Sequence, residues 1–491
     1  MTHPRTLPIY ALRILLFLAI GSIGTWGVLT SYPVRMLTYE QMNIVGAFRV
    51  IYGLFFAFRL FRSLPGISLV LGWERSGLAS VLYWIGIFNC LFIAAGLLTP
   101  FALSFHWALL VFIQKHHRVY SVEDVLNRLP GVCLLFMNSH LNLSLDSWLG
   151  WNYGLVSGGT LGVNFFIWTF CVVMFSTGYE KLWSPAWRKG LGFYHFVSIP
   201  FIARPIFRQL RRFKLLCLVA SWSSLILELG LIFSTLESHI FIVALIFLVG
   251  FGICLTFGPA PFFFVGGATT WGGAFILAMV LTRADLPTDN PGIGAVILLI
   301  LYWVGCFAVM GFSKIRGGWA AWLMEKTIYL RPYILFNEVH FYGLYIFRIT
   351  AQTPKGRIDP LRLFTESGEP GPMQELRPVA MYASFTRVTD YCIACIHNQS
   401  DRLDFFGRVQ ADLGWMALNR LPKEFRKEPV DLRFEIKVYD PPAEYDIQTN
   451  PWRTDWVEIG YYEVDNATIR FVQKGEIPHY GKTVRWPVLW K

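Results

Sequence analysis

The chain has 491 residues, of which 54% are apolar, 17% aromatic and only 15% charged, with a formal net charge of +11 and a mean hydropathy of +0.46. That composition excludes an ordinary soluble domain and a disordered chain, and it makes lipid the solvent for much of the sequence. The positive balance does not point to nucleic acid, because many of the lysines and arginines flank apolar runs, where they set orientation or meet anionic headgroups.

The first element is an apolar run from Tyr10 to about Thr30, with Arg5 and Arg13 around its start. It is longer than a signal-peptide core and has no small-x-small cleavage site, so it reads as a retained first span. A hydrocarbon core about 30 Å thick needs roughly 20 apolar residues of helix. Clear candidates are 10–30, 43–61, 79–98, 160–178, 213–235, 239–258 and 292–312. Three more are shorter or more polar: 101–114, 125–140 with Arg128 and Pro130, and the Gly- and Thr-rich 261–282. Such segments are tilted, half-inserted or packed inside a bundle. The expected fold class is therefore a polytopic all-α membrane bundle of eight to ten transmembrane helices over residues 1–325, followed by an extramembrane α+β domain over 326–491.

Lysine and arginine in short loops set the orientation. Lys181, Arg188, Lys189, Arg204, Arg208, Arg211, Arg212 and Lys214 crowd one loop, whereas 31–42, 141–159 and 284–291 hold only Arg35. The basic loop is expected on the cytoplasmic side of a bacterial inner membrane. With ten spans, the amino terminus, the Lys115-His116-His117-Arg118 loop and the carboxyl domain join it there; one span more or fewer moves the carboxyl domain across. In that domain Tyr342–Ile349 and Leu432–Tyr439 have the aromatic and β-branched content of strands, and Asp440-Pro441-Pro442 is a turn signal. Leu403–Leu421 has helical apolar spacing and stops before Pro422. Six of the eight cysteines (Cys90, Cys133, Cys171, Cys217, Cys254, Cys306) stand singly in apolar runs, as small hydrophobes rather than a disulfide framework.

Ionisable residues inside spans cost a few kcal/mol at mid-bilayer and face a bundle interior. They are Arg49, Arg59, His106 and Glu228. Glu228 stands well inside an apolar helix and needs either a basic partner on another helix or a proton. It is a structural pair that fixes packing, or a member of a proton or substrate path. Lys181 closes a span in Thr177-Gly178-Tyr179-Glu180-Lys181-Leu182. It either snorkels to the headgroups or is an amine kept neutral by burial, a usable general base. His116 and His117 are adjacent, and no His-x-x-x-His or carboxylate at ligand spacing accompanies them or His140, so no metal site is expected. Cys392-Ile393-Ala394-Cys395 suits a dithiol centre or half a zinc site, without a second Cys-x-x-Cys to complete the latter. The Asn-x-Ser/Thr matches at Asn142, Asn398 and Asn466 matter only if lumenal.

From Gly46 to about residue 235 the chain resembles the HTTM (horizontally transferred transmembrane) domain family, which includes the membrane part of vitamin K-dependent γ-glutamyl carboxylase. The landmarks are Phe48-Arg49-Val50-Ile51-Tyr52-Gly53-Leu54, Ala95-Gly96-Leu97-Leu98-Thr99-Pro100, Ser144-Leu145-Asp146, and Thr177-Gly178-Tyr179-Glu180-Lys181-Leu182 followed by Trp187 and Gly190. Glu228 falls where carboxylase-type sequences carry an acid in a Leu-rich helix. The resemblance implies that Lys181 is the base that deprotonates a reduced quinone cofactor, that His117 assists carboxylation, and that Glu228 supports the site. It departs in two respects: the carboxylase opens to the lumen, whereas the loop after Lys181 is basic, and the carboxyl domain here is much smaller.

Two functions remain open. One is a membrane enzyme modifying a peptide or lipid-soluble substrate with Lys181 as base. The other is a non-catalytic maturation or chaperone factor for a secreted protein, as among the lipase-maturation membrane factors, whose β-rich tail this one resembles. Expected partners are the lipid bilayer and a peptide or secreted-protein client, with no nucleic acid. A transporter is disfavoured, because the chain lacks two matching halves.

Overall fold

The computed structural model describes residues 37–64, 76–116, 123–153, 160–199 apart from 183, 203–257, 263–282, 344–371 apart from 370, 400–425, 430–439, 444–446, 455–465 and 468–478, together with 26, 28 and 31. The chain is mostly helical before residue 283 and carries a small antiparallel sheet after 343. The candidates 10–30 and 292–312, the Cys392–Cys395 pair, Asn398 and Asn466 lie outside the described residues.

The first helix, α1 (Tyr39–Ser63), begins at a capping box: Thr38 accepts the Gln41 N–H, and the Gln41 side chain accepts the Thr38 N–H. It packs on α2 (Ser76–Ala95), which leads through a tight turn to α3 (Thr99–His116) and α4 (Glu123–Phe136). A four-residue turn of helix, α5 (Leu145–Trp148), precedes α6 (Thr160–Leu182). Three short helices follow: α7 (Pro185–Arg188), α8 (Gly192–Ser198) and α9 (Pro205–Arg208), the last continued by a 3-10 turn over Gln209–Arg212. Then come α10 (Lys214–Ser234), α11 (Ser238–Phe257) and α12 (Phe263–Leu281).

Three helices among the described residues are long and apolar enough to cross a membrane: Tyr39–Arg62, Thr160–Tyr179 and Lys214–Ser234. Ser80–Ala95, Ser238–Cys254 and Thr269–Leu281 are shorter apolar helices. Aromatic side chains fill the space between them. Phe48 of α1 stacks on Phe275 of α12 with centroids 4.0 Å apart, and Phe166 of α6 stands 5.5 Å from Phe48. Other large apolar side chains of α1, α2, α10 and α11, including Phe58, Phe88, Ile226 and Phe247, point outward and are exposed, as on a lipid-facing surface.

The carboxyl region is a five-stranded antiparallel sheet in the order β2-β1-β3-β4-β5. Its strands are β1 (Leu344–Thr353), β2 (Gly356–Ile358), β3 (Asp431–Tyr439), β4 (Val457–Asp465) and β5 (Thr468–Gln473). Two of them fall where the sequence places strands, and α13 (Ser400–Arg420) lies where it places a helix. Leu432 and Tyr462 are cross-strand partners on the apolar face, and Gly414 of α13 comes against Tyr462 and Ile469 there. The alternate residues of β3 make the other face polar, where Arg348 pairs across the strands with Glu435 at 2.5 Å and Arg357 reaches the same carboxylate.

Candidate functional site

Lys181 and Glu228 meet. The Lys181 Nζ donates to Glu228 Oε1 at 2.5 Å, and the side chains are 2% and 4% exposed. The approach depends on Gly178, one turn before the lysine: a Cβ there would lie 2.9 Å from Glu228 Cβ and 3.0 Å from the Leu229 nitrogen. A small residue thus lets α6 and α10 close to the distance at which the two charges touch. Ser224, one turn before Glu228, donates to the same Oε1 at 3.3 Å. The other carboxylate oxygen, Glu228 Oε2, is buried without a hydrogen-bond partner among the described residues, as is Ser184 Oγ, whose N–H bonds the Lys181 carbonyl.

The lysine does not snorkel. Glu228 stands fourteen residues along α10 from Lys214, about 21 Å at 1.5 Å per residue. Lys181 is level with it, well away from the basic end of that helix. After Leu182 the chain follows the first half of α10 in short turns, with Ala186 and Trp187 buried and Arg188 and Lys189 exposed. The Ser221 hydroxyl accepts the Phe193 N–H at 2.9 Å and lies 2.9 Å from the Gly190 carbonyl, and Tyr194 and Leu191 pack on Cys217. These contacts satisfy the Phe193 N–H and the Gly190 carbonyl of the irregular stretch against α10. Pro185 opens α7, and Gly190, at φ +73°, turns the chain after it. This folds Trp187 back so that its ring centre lies 4.5 Å from the Lys181 Nζ. Lys181 also sits in the last turn of α6, where a cation meets the carbonyl end of the helix dipole.

The remaining landmarks converge elsewhere. Arg49, fully buried, donates to the Ser139 carbonyl at 2.7 Å and to the Leu143 carbonyl. Gly96, at φ +68°, lies against that guanidinium, so a side chain there would be both strained and obstructed. Asp146 accepts the N–H groups of Leu98 and Thr99 at 2.7 and 2.8 Å, a carboxylate cap on the first turn of α3. These contacts knot α1, the α2–α3 turn and the α4–α5 turn together. They account for Arg49, Gly96, Thr99 and Asp146 as structure.

Of the remaining ionisable residues, Arg59 lies 5.8 Å over the Phe56 ring, and His106 is buried with its Nδ1 3.5 Å from Cys90 Sγ. His140 is buried in the α4–α5 turn against Tyr153. His117 lies outside the described residues. Among the described residues no three His, Cys, Asp or Glu side chains gather as a metal site. Sequence reasoning passed over Ser184, Ser221 and Ser224, and gave Trp187 no role beyond a landmark. A Pro and two glycines closely following Lys181 were the available signal that the chain breaks there.

The carboxyl region seats on the segment after Lys181. Arg208 pairs with Glu369 at 2.6 Å, the Tyr194 hydroxyl donates to the Asp446 carbonyl and that of Tyr445 to the Arg211 carbonyl, and Lys214 lies 5.9 Å over the Tyr445 ring. Burial raises the Tyr194 phenol above its ordinary pKa, keeping it a neutral donor. The buried apolar cluster around β1 and β3 also includes Ala186, Trp187, Phe196, Val197, Ile199 and Ala203. The chain matches no protein-family profile, no curated protein and no solved structure.

Proposed function

We propose that this chain is a multi-pass membrane enzyme of the HTTM, vitamin K-dependent carboxylase-like type, in which Lys181 is the base and Glu228 the acid that holds and discharges it. The observation that carries this reading is the buried contact between Lys181 and Glu228 with Glu228 Oε2 left over, set on a break in the helix. A proton passed from the ammonium to the carboxylate leaves two neutral groups, the form that burial favours, and the amine is then free to accept a proton. Glu228 Oε2, on the carboxylate that accepts from that amine, and Ser184 Oγ, three residues after the lysine, are buried polar atoms without hydrogen-bond partners among the described residues, and they fit a ligand hydroxyl. Bound there, a reduced quinone would supply, with dioxygen, the strong base that the carboxylase family uses on peptide glutamate.

The seating of the carboxyl domain on the basic segment supports a common side of the membrane for both, and the positive-inside rule favours the cytoplasm of a bacterial inner membrane as that side. An even number of crossings then separates Lys214 from Leu344, as the candidates 213–235, 239–258, 261–282 and 292–312 provide. Because Lys181 lies inside, the side of the basic loop does not fix the side from which a substrate reaches it.

The test is turnover of vitamin K hydroquinone and dioxygen to the epoxide and water by the full chain in lipid nanodiscs. Wild type should form epoxide and Lys181→Ala should not; equal formation by a folded Lys181→Ala protein ends this reading. The near-complete burial of the pair favours a second one, a maturation factor in which the carboxyl domain holds a secreted client. Removing 326–491 would then abolish recovery of a co-expressed client, and Lys181→Ala would leave it intact.

A further inference from the structure

We propose that Trp187 is a positioning residue, holding the Lys181 ammonium against Glu228 and transmitting the seating of the carboxyl domain to that amine. The inference rests on the base reading only for its consequence, since the geometry is independent of turnover.

Lysine is a point charge on a flexible four-carbon stem, and its three donors can point many ways. Here a single carboxylate oxygen accepts from it. The indole supplies the second restraint: its face lies 4.5 Å from Nζ, within the range at which a ring quadrupole holds a cation. The ring itself has little room to retreat. A Cβ on Gly192 would lie 2.3 to 2.6 Å from three of its atoms, so only the bare backbone of residue 192 fits against the ring. Lys181 and Gly192 both lie against the indole.

The indole also belongs to the buried core of the carboxyl domain. Trp187 shares its buried cluster with Ile346, Phe347, Phe434 and Ile436 of the sheet, while the main bundle cluster is separate. Lys181 belongs to a bundle helix, and its nearest ring belongs to the other core. Arg208–Glu369, Tyr194–Asp446 and Tyr445–Arg211 fasten the same segment to the domain. A shift of the domain on its seat therefore moves the indole, and with it the restraint on the amine.

The experiment reads the exposure of the amine directly. The full chain in nanodiscs is treated with acetic anhydride, acetylation of Lys181 is quantified by peptide mass spectrometry, and the unfolding midpoint is recorded for each variant. Trp187→Leu should acetylate about tenfold faster than wild type, the scale of a lost desolvated cation–π contact, and Trp187→Phe should return most of the protection. Gly192→Ala, whose Cβ would overlap the indole and displace it from its place over the amine, should also accelerate labelling. The double change Arg208→Gln with Tyr445→Phe, remote from the lysine, should give a smaller increase of about threefold. Equal rates in Trp187→Leu and Trp187→Phe overturn the proposal, because packing rather than the ring would then be responsible. If Trp187→Leu does not fold, Gly192→Ala decides, and a wild-type rate in it overturns the proposal. Epoxide formation plays no part in this readout, so failure of the base reading and failure of the positioning role appear in different measurements.

Discussion

The bundle and the carboxyl domain handle buried charge in opposite ways. In the bundle, Lys181 and Glu228 form an isolated pair between two helices, with one carboxylate oxygen left without a partner. In the sheet, Glu435 is equally buried, yet both its oxygens face arginines, Arg348 and Arg357, on neighbouring strands, and Arg348 also pairs with Glu366 and lies 4.4 Å over the Trp456 ring. A satisfied network of this sort fixes a structure, whereas a partly satisfied pair is held in place by its surroundings. That contrast marks Lys181 and Glu228, rather than the larger charge cluster on the sheet, as the place where chemistry is to be sought.

The contrast breaks most decisively at the pair itself. Glu228→Leu leaves a buried ammonium alone and should lower stability by about 3–5 kcal/mol, while Lys181→Met combined with Glu228→Leu should recover most of it, as read by thermal unfolding in detergent. If the single change costs nothing, the pair is not held as the structure has it. In the sheet, Glu435→Gln keeps the shape but removes the charge that both arginines face, and should cost about 2–3 kcal/mol in chemical denaturation. Asp146→Asn tests the knot around Arg49: it weakens two N–H bonds at the start of α3 and should cost about 1–2 kcal/mol, with faster amide exchange confined to Leu98 and Thr99. The exposed Lys355–Glu424 pair sets the lower bound. Lys355→Ala should leave the unfolding midpoint unchanged, since water already screens both groups. Were it to match Glu435→Gln, burial would not be what separates strong pairs from weak ones here.

The two regions also differed in how far the sequence revealed them. The apolar runs at 43–61, 160–178 and 213–235 match, to within a residue at each end of the last, stretches of the three described helices long enough to cross a membrane, because hydropathy over about 20 residues is a local property. Two strands and the helix of the carboxyl domain were legible for the same reason, in β-branched and aromatic content and in apolar spacing. β2, β4 and β5 were not. The three residues of β2 carry little pattern, and Glu458, Gly460 and Glu463 dilute that of β4. Arg49 and Glu228 announced themselves as charges in apolar surroundings and Asp146 only as part of a motif, but nothing local said that Arg49 and Asp146 serve one knot and that Glu228 serves Lys181.

Sequence by itself determined that the chain carries apolar runs long enough to cross a membrane, that Glu228 requires a basic partner or a proton, and that Lys181 ends a helix. These follow from transfer energies and residue order. Only the tertiary structure decided that each of these two residues answers the other across 47 positions, and that the chain beyond Lys181 folds inward instead of leaving for the surface. It alone placed the indole against Lys181 and in one buried cluster with the carboxyl domain. The physical reason is the same in each case. Pairing of buried charges and closure of small residues such as Gly178 depend on distances between helices, and those are set by packing that no stretch of sequence contains.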